Sequence, residues 1–169
     1  MTTVTICIPF ADYHIEQSAT AIASARVQTE PRTVLYAQDV DRRGTGYMRN
    51  QLLARVQTEF VVFLDADDWI EPAFVERCLS AYQAGKYVYT DWKEEETVKT
   101  APDKCWCDGN WHVVTALLRT EDVRSVGGFP EDLPAAEDTA MYWQLVRRGI
   151  CGVRLAEPLF HYGRGVHSR

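Results

Sequence analysis

The sequence has no long apolar run. No stretch approaches the roughly 20 apolar residues that a membrane-spanning helix needs, and the N-terminus carries no signal-peptide pattern. Cysteine is scarce as well: the 169 residues include five. Because that number is odd and no export signal accompanies it, reduced thiols are expected and a disulfide framework is not. We therefore predict a cytoplasmic protein with no transmembrane segment.

An excess of positive charge is also missing. The formal net charge is −6 at pH 7, which argues against broad nonspecific binding to nucleic acids because that binding needs many cations to neutralise phosphates. Cys105 and Cys107 form a C-x-C pair, but no second Cys or His pair follows at zinc spacing. The C-terminal region is locally more basic, with Arg147, Arg148, Arg154, Arg164 and Arg169.

What is present is the composition of one globular domain. Hydrophobic residues make up 46% and charged residues 25% of the chain, which is ordinary for a soluble protein with a real core. Apolar β-branched runs alternate with segments of helical periodicity. The predicted strands are 4–9, 33–37, 60–64 and 87–92, with late strands in 153–162. The predicted helices are 15–28, 47–56, one starting near Pro72 and capped by Gly85, one capped by Thr120, and 136–148 closed by Gly149.

The order of these elements predicts an α/β fold with a mostly parallel central sheet flanked by helices, because strands that alternate with helices pair through right-handed crossovers. Sheets of this kind bind ligands at the carboxyl ends of their strands. Asp12, Asp39 and the cluster 65–68 each come just after a predicted strand. The sequence therefore predicts a ligand site at this edge of the sheet.

The stretch FVVFLDADDW, residues 60–69, carries three carboxylates directly behind an apolar strand: Asp65, Asp67 and Asp68. Mg²⁺ and Mn²⁺ prefer oxygen ligands, and a cation would remove the repulsion between these side chains. Such metals usually bridge protein carboxylates to substrate phosphates. The stretch favours a Mg²⁺ or Mn²⁺ site for a phosphate-bearing substrate.

Other interpretations of this cluster compete. The carboxylates could cap and charge the helix that begins near Pro72, and Asp68 is well placed to do so. A calcium loop needs D-x-D-x-D-G and a later glutamate, a pattern that Trp69 and Ile70 break. A phosphatase with an aspartyl nucleophile also has D-x-D after a strand. In that class the strand is normally the first, and Thr or Val follows the second aspartate.

A second acidic constellation lies in GGFPEDLPAAED, residues 127–138, ahead of a predicted helix. Glu137 and Asp138 are at the start of that helix, where the dipole favours acids, so they could be first-turn acids only. The paired Gly127 and Gly128 allow backbone to approach a ligand closely. A hydroxyl nucleophile needs a base, and a carboxylate within hydrogen-bond reach can serve. This segment favours displacement chemistry.

Four segments taken together resemble the inverting family 2 glycosyltransferases of the GT-A fold. They are VTICIPF, SARVQTEP, RNQLLARVQTEFVVFLDADDWIEP and GGFPEDLPAAEDTAMYWQLVRRG, and they span almost the whole chain. The resemblance implies a single Rossmann-like GT-A domain. Residues of about 1–92 would bind the nucleotide sugar and the metal, and residues of about 93–169 would serve acceptor and catalysis. The implied reaction is metal-dependent transfer of a hexose-like sugar to an acceptor hydroxyl with inversion.

The resemblance also implies roles for individual residues. Asp39 would read the base, Arg49 and Asn50 would lie near the diphosphate or hold the donor loop, and Asp138 would be the catalytic base beside Glu137. Asp65 and Asp67 would form the metal motif, with Asp67 the stronger candidate for direct coordination. The residues implied to contact the nucleotide donor are Pro9, Phe10, Asp12, Asp39, Arg49, Asn50, Asp65, Ala66 and Arg164.

The family often supplies a C-terminal histidine as a further metal or diphosphate contact. The tail HYGRGVHSR offers His161 and His167, and the R-x-x-H-S spacing favours His167. The expected donor is a UDP-sugar. The acceptor is a glycan in the family's usual case, with a protein or a hydroxylated DNA base as alternatives. A metal-dependent phosphatase and an inactive sugar-nucleotide-binding module are the alternatives from other classes.

Overall fold

The structure is a computed structural model that describes residues 4–30, 32–102 and 113–163. Its first elements are β1 (Val4–Phe10), a 3-10 helix (Asp12–His14), α1 (Ile15–Arg26), β2 (Arg32–Gln38), α2 (Thr45–Arg55), β3 (Phe60–Phe63) and β4 (Trp69–Ile70). They are followed by α3 (Phe74–Ala81), β5 (Lys86–Glu94), β6 (Thr97–Lys99), β7 (Ala116–Arg119), α4 (Thr120–Ser125), α5 (Glu137–Arg147) and β8 (Cys151–Tyr162).

The first part of the chain forms the parallel β-α-β-α-β unit that the sequence predicted. β1 lies between β2 and β3 and runs parallel to both, with Val4 opposite Arg32 on one side and Phe60 on the other. Val4 to Pro9 and the whole of β3 are buried. This explains why both strands are continuous apolar runs with no alternation: helices cover both faces of the sheet.

The second part adds antiparallel pairing. β7 lies between β3 and β5 and is antiparallel to both, with Val61 opposite Leu118 and Val88 opposite Leu117. The order of the sheet, over the described residues, is β2-β1-β3-β7-β5-β8-β4, with β6 paired to β5. Most paired positions belong to the parallel pairs β1–β2, β1–β3 and β5–β8. The mostly parallel α/β sheet is confirmed, while β4 and β7 were not predicted.

Three helix caps that the sequence suggested, one of them an alternative role for Asp68, do not form at those residues. α3 begins at Phe74 after Ala73, with no side-chain cap, so Asp68 does not cap it. Gly85 lies beyond the end of α3, in the turn before β5, with φ of 75°. The Thr120 hydroxyl donates a hydrogen bond of 2.9 Å to the carbonyl of Thr58 and leaves α4 without a side-chain cap. Asp68 and Thr120 instead bond distant parts of the chain, which the local sequence does not specify.

Two apolar clusters fill the two faces of the sheet. One includes Phe63, Tyr89 and Tyr142 and packs under α2, α4 and α5. The other includes Ile6, Val88 and Phe160 and packs under α1 and α3. Because α2 and α5 share a face and contact each other, the acidic start of α5 lies beside the helix that precedes β3.

Candidate functional site

A cavity of about 250 Å³ lies at the carboxyl ends of β1, β2 and β3. This is the edge of the sheet at which the sequence predicted a ligand site. The predicted site residues that line the cavity are Pro9, Phe10, Asp39, Arg49, Asp65, Ala66, Asp67 and Glu137. The other lining residues are Ala11, Tyr13, His14, Gly44, Thr45 and Met48.

A second cavity, of about 380 Å³, shares part of its wall with the first. Asp12 lines this second cavity together with Arg42, and Asp12 accepts a hydrogen bond of 2.6 Å from the side-chain amide of Gln38. Tyr13 and Asp39 line both cavities. The ends of β1 and β2 therefore form one continuous wall with room for an extended ligand.

Asp39 holds the turn that follows β2. Its Oδ1 accepts the backbone N–H of Arg43 at 2.8 Å, and its Oδ2 accepts that of Gly44 at 2.8 Å. Gly44 has φ of 94°, a conformation that side chains rarely adopt. These bonds fix the carboxylate of Asp39 at the rim, between the two cavities.

Arg49 lies between two carboxylates from distant parts of the chain. Its side chain is 3% exposed, and it donates a hydrogen bond of 2.5 Å to Asp65 and a second one to Glu137. Burial alone would lower the pKa of Arg49, but Asp65 and Glu137 raise it above its usual value. The guanidinium is therefore a buried cation that connects the end of β3 to the first turn of α5.

The loop 65–68 concentrates negative charge. Burial, and after it the charge of Asp65, raises the pKa of Asp67. The same two causes raise the pKa of Asp68 well above its ordinary value, and its side chain is buried. Asp68 accepts the backbone N–H of Gly163 at 2.7 Å, just beyond the end of β8. Asp68 therefore anchors the end of the sheet from behind the loop.

The donor chemistry of this loop fits a hard divalent cation. Burial first, and then the negative charge of Asp65, raises the pKa of Asp67 and Asp68, and a cation bound at this loop would offset that negative charge. Among the residues that the structure describes, no three His, Cys, Asp or Glu side chains lie close enough together to hold an ion by themselves. Asp65 and Asp67 could thus supply part of a coordination shell, and oxygens of a bound substrate would supply more.

The two acids of α5 take different positions. Glu137 lines the cavity and is 12% exposed. Asp138 is half-buried beside it and is not among the lining residues; its Oδ1 accepts the backbone N–H of Thr139 at 2.7 Å. Tyr142 has its pKa raised by burial and then by Asp138. Asp138 therefore lies in the first turn of α5, close enough to Arg49 and Tyr142 for its charge to raise the pKa of both.

Asn50, the neighbour of Arg49, is not among the residues that line the cavity. Its side-chain amide donates hydrogen bonds of 2.8 Å to the carbonyl of Phe129 and to a carboxylate oxygen of Glu131, and accepts the N–H of Phe129 at 2.9 Å. Of the two roles that the resemblance implies for Asn50, contact with a diphosphate stays a prediction. The structure instead shows Asn50 bonded to the loop that contains Gly127 and Gly128.

The C-terminal predictions fall largely outside the described residues, because Arg164 and His167 are not among them. His161 is described: its Nε2 hydrogen-bonds Glu71 at 2.7 Å, and its ring stacks on Trp69 at 4.8 Å. It does not line the cavity. Sequence reasoning missed Tyr162, whose pKa is raised by burial and then by Asp68, Asp67 and Asp65.

The cavity residues that sequence reasoning missed include Tyr13, His14, Thr45 and Met48. Tyr13 and His14 follow β1 directly, so the same signal that singled out Asp12 could have included them. Their rings contact each other edge to face at 4.4 Å. Thr45 and Met48 carry no such signal, because only the packing of the first turn of α2 against the strand ends brings them to the cavity.

In the part of the chain that the structure describes, no helix is both long enough and apolar enough to cross a membrane. The cytoplasmic location stays a prediction.

The sheet order, the crossovers and the acidic loop behind β3 define a GT-A glycosyltransferase fold. The chain belongs to glycosyl transferase family 2, whose sequence model matches residues 14–112. It is also similar to EpsH of Bacillus subtilis (strain 168), with 41% identity over 39 residues, which are 23% of this chain and 11% of EpsH.

Two solved structures share the fold. S. aureus TarS 1–349 in complex with UDP-GlcNAc superposes with a TM-score of 0.81 at 16% identity, over 99% of this chain and 61% of that one. The mannosyltransferase PcManGT from Pyrobaculum calidifontis, in complex with GDP-Man and Mn²⁺, gives a TM-score of 0.75 at 14% identity. That match covers 98% of this chain and 58% of PcManGT. The chain thus spans about three fifths of these two solved chains.

Proposed function

We propose that this chain transfers a sugar from a nucleotide-diphosphate sugar to an acceptor hydroxyl, with inversion at the anomeric carbon. One observation carries the proposal: Asp39, Asp65, Asp67 and Glu137 line one cavity at the strand ends, where the buried Arg49 bonds both Asp65 and Glu137. Membership of glycosyl transferase family 2 supports the same reaction.

The donor would lie along the wall formed by the ends of β1 and β2. Asp39 separates the two cavities, and its carboxylate is held by two backbone N–H groups. We assign the base and ribose to this region, with Pro9, Phe10 and Asp12 along the wall. A UDP-sugar is the favoured donor because a fold neighbour binds UDP-GlcNAc, although another neighbour binds GDP-Man.

Asp67 and Asp65 are the residues that would hold Mg²⁺ or Mn²⁺. Asp67 gains most, because burial and the charge of Asp65 both raise its pKa and the positive charge of a bound cation would oppose that shift. Asp65 already forms an ion pair with Arg49. When bound, the metal supplies electrostatic stabilisation for the diphosphate leaving group. Arg164 and His167, outside the described residues, stay predicted contacts of the phosphates and the metal.

Asp138 is the proposed general base. Its carboxylate takes the proton of the acceptor hydroxyl while the oxygen forms a bond to the anomeric carbon. The bond from that carbon to the diphosphate oxygen breaks, and the nucleoside diphosphate leaves. Glu137, bonded to Arg49, positions the start of α5 and contributes to the acceptor side. On this proposal residues of about 1–92 bind the donor, and residues of about 93–169 serve the acceptor.

The test is release of nucleoside diphosphate from a panel of nucleotide sugars. UDP-, GDP- and ADP-sugars are incubated with the protein in Mn²⁺, in Mg²⁺ or in EDTA, with water as the acceptor. This design needs no knowledge of the natural acceptor. The expected result is release from UDP-sugars that depends on metal. Release of phosphate from simple phosphoesters, with no cleavage of any nucleotide sugar, would contradict the proposal and favour a phosphatase.

A further inference from the structure

The loop 127–131 lies against one side of α2. An added Cβ at Gly46 would meet the carbonyl oxygen of Pro130 at 2.3 Å, and one at Gly128 would meet Oδ1 of Asn50 at 2.3 Å and Cδ2 of Leu53 at 3.5 Å. Gly46, Asn50 and Leu53 are spaced four and three residues apart, so they share one face of the helix. The backbone of the loop therefore packs closely against α2 along about two helical turns.

The same helix contacts the start of α5. The added Cβ at Gly46 would lie 3.4 Å from Cγ of Glu137, and Arg49 donates a hydrogen bond to the carboxylate of Glu137. Arg49 and Asn50 are neighbours in sequence, yet one bonds to α5 and the other to the loop that leads into it. α2 thus holds both ends of the segment that joins the loop to Asp138.

The geometry points to Asn50 as a positioning residue for the catalytic acids, an inference that rests on the proposed function. Both polar atoms of the Asn50 side chain are hydrogen-bonded. Its Oδ1 accepts the N–H of Phe129, and its Nδ2 donates to the carbonyl of Phe129 and to a carboxylate oxygen of Glu131. Only an amide offers one acceptor and one donor group in this arrangement. Asn50 fixes the loop 127–131, and the loop in turn fixes the first turn of α5.

Gly127 and Gly128 together provide a test variant and its control. Gly127 and Gly128 both have positive φ, of 86° and 75°, so an alanine at either position strains the backbone similarly. An added Cβ meets nothing within 4 Å at Gly127, but meets Asn50 at Gly128. The variant G128A therefore disturbs the Asn50 contact, and G127A is its control for backbone strain.

The first arm of the test is amide hydrogen exchange, which needs no turnover. In N50A and in G128A, the amides of Phe129 and Ala140 should exchange at least about tenfold faster than in the wild type. Ala140 is included because its N–H donates to Ala136 in the first turn of α5. In G127A both amides should stay within about threefold of the wild type. Equal effects of G127A and G128A, or faster exchange at Phe129 with no change at Ala140, would overturn the inference.

The second arm is kinetic, with the donor that the panel identifies. N50A should lower kcat roughly 10- to 100-fold and leave the KM for the donor within about twofold, because misplaced acids affect the reaction more than donor binding. In N50D an oxygen replaces Nδ2, so an acceptor lies against the carbonyl of Phe129 and the carboxylate of Glu131. Because these oxygens repel one another, kcat should fall at least as far as in N50A. Adding E131Q to N50D offers that oxygen an amide donor and should restore activity about threefold or more.

E131Q should give no such recovery in N50A, because no misplaced oxygen is present there. Recovery in both backgrounds, or an equal rise in KM and fall in kcat, would show that Asn50 acts on stability or donor binding and overturn the positioning role. Circular dichroism confirms that each variant is folded. If the wild type releases no nucleoside diphosphate, the proposed function fails, while the exchange arm still decides whether Asn50 positions α5.

Discussion

Arg49 in α2 and Glu137 in α5 form a buried hydrogen-bonded ion pair across 88 positions of the sequence. The other arm of the Arg49 guanidinium bonds Asp65 at 2.5 Å. One side chain therefore determines the distance between the acidic loop behind β3 and the acids of α5. An arginine suits this position because its planar fork can bond two carboxylates at once, whereas a lysine presents a single point charge.

Replacing Arg49 should therefore destabilise the fold. R49M leaves Glu137, and in part Asp65, without a partner in a buried site, and should lower the free energy of unfolding by about 3 kcal/mol. R49K keeps the charge but loses the fork, so it should be intermediate in stability and still impair catalysis. Chemical denaturation measures the first effect. The control R77M removes the exposed pair of Arg77 and Glu157 and should change stability little; a similar loss in R77M and R49M would contradict the bridging role.

Asp138 should be needed for transfer and not for donor binding. D138N keeps the size of the side chain and removes the base, so transfer should fall by at least about a hundredfold. Donor affinity should stay within about twofold, because Asp138 is not among the residues that line the cavity. Isothermal titration with the donor and turnover assays measure the two quantities separately. Transfer that survives in D138N would show that another group takes the proton.

The pair of Asp91 and Arg154 should make stability depend on pH. Both carboxylate oxygens of Asp91 accept hydrogen bonds of 2.8 Å from Arg154, and Oδ1 also accepts the N–H of Ala101. Burial acts to raise the pKa of Asp91, but these partners hold it below its usual value. A lowered carboxyl pKa stabilises the fold above the unfolded pKa of about 4 and loses that effect as the pH falls through the folded value.

D91N should therefore lower the free energy of unfolding by about 3 kcal/mol at pH 7, because it leaves Arg154 without its carboxylate. The difference from the wild type should shrink as the pH falls below about 4, because Asp91 becomes protonated first in the unfolded chain and, at lower pH, in the folded protein. Denaturation series at several pH values measure this difference. D132N, at an exposed loop carboxylate, is the control. A difference between D91N and the wild type that stays constant down to pH 2 would contradict the prediction.

The thiols of Cys7 and Cys78 should be unreactive in the native protein. Burial raises the pKa of Cys7 to about 12, an effect that Arg55 lowers only in part, and burial raises the pKa of Cys78 as well. At pH 8 almost no thiolate is present at either position, and neither side chain is accessible. Peptide mass spectrometry after iodoacetamide treatment should find both unlabelled in the native state and labelled in guanidinium chloride. Native labelling of Cys7 would mean that β1 opens.

The elements that sequence reasoning predicted are those whose neighbours along the chain are also their neighbours in space. β1, β2 and β3 with α1 and α2 form a unit of local crossovers, and β1 and β3, which are buried on both faces, carry an obvious apolar signal. β7 has only the four residues ALLR, and its pairing with β3 and β5 joins distant parts of the sequence. β4 has two residues and exists only because β8 pairs with it. No periodicity reveals such strands.

In the candidate site, too, residues that follow predicted strands were predictable, and contacts between distant parts of the chain were not. Asp39, Asp65 and Asp67 were predictable because acids behind the strands of a parallel sheet meet at one edge. The bond of Asn50 to Phe129 was not, since a polar residue on a helix gives no sign of its partner 79 positions away. Asp68 looked like a helix cap because the sequence shows nearby Pro72 and not the distant backbone of Gly163, which Asp68 actually binds.

The position of β7 has a consequence for the order in which this protein can be made. A ribosome delivers the N-terminal residues first, so β3 emerges well before its antiparallel partner at 116–119. Until then one edge of β3 presents unpaired backbone groups, which is the kind of edge that aggregates. Glu137 emerges later still, so the bond between Arg49 and Glu137 can form only after that. Despite its early β-α-β-α-β unit, the nascent chain can complete this edge of the sheet only after Glu137 has left the ribosome.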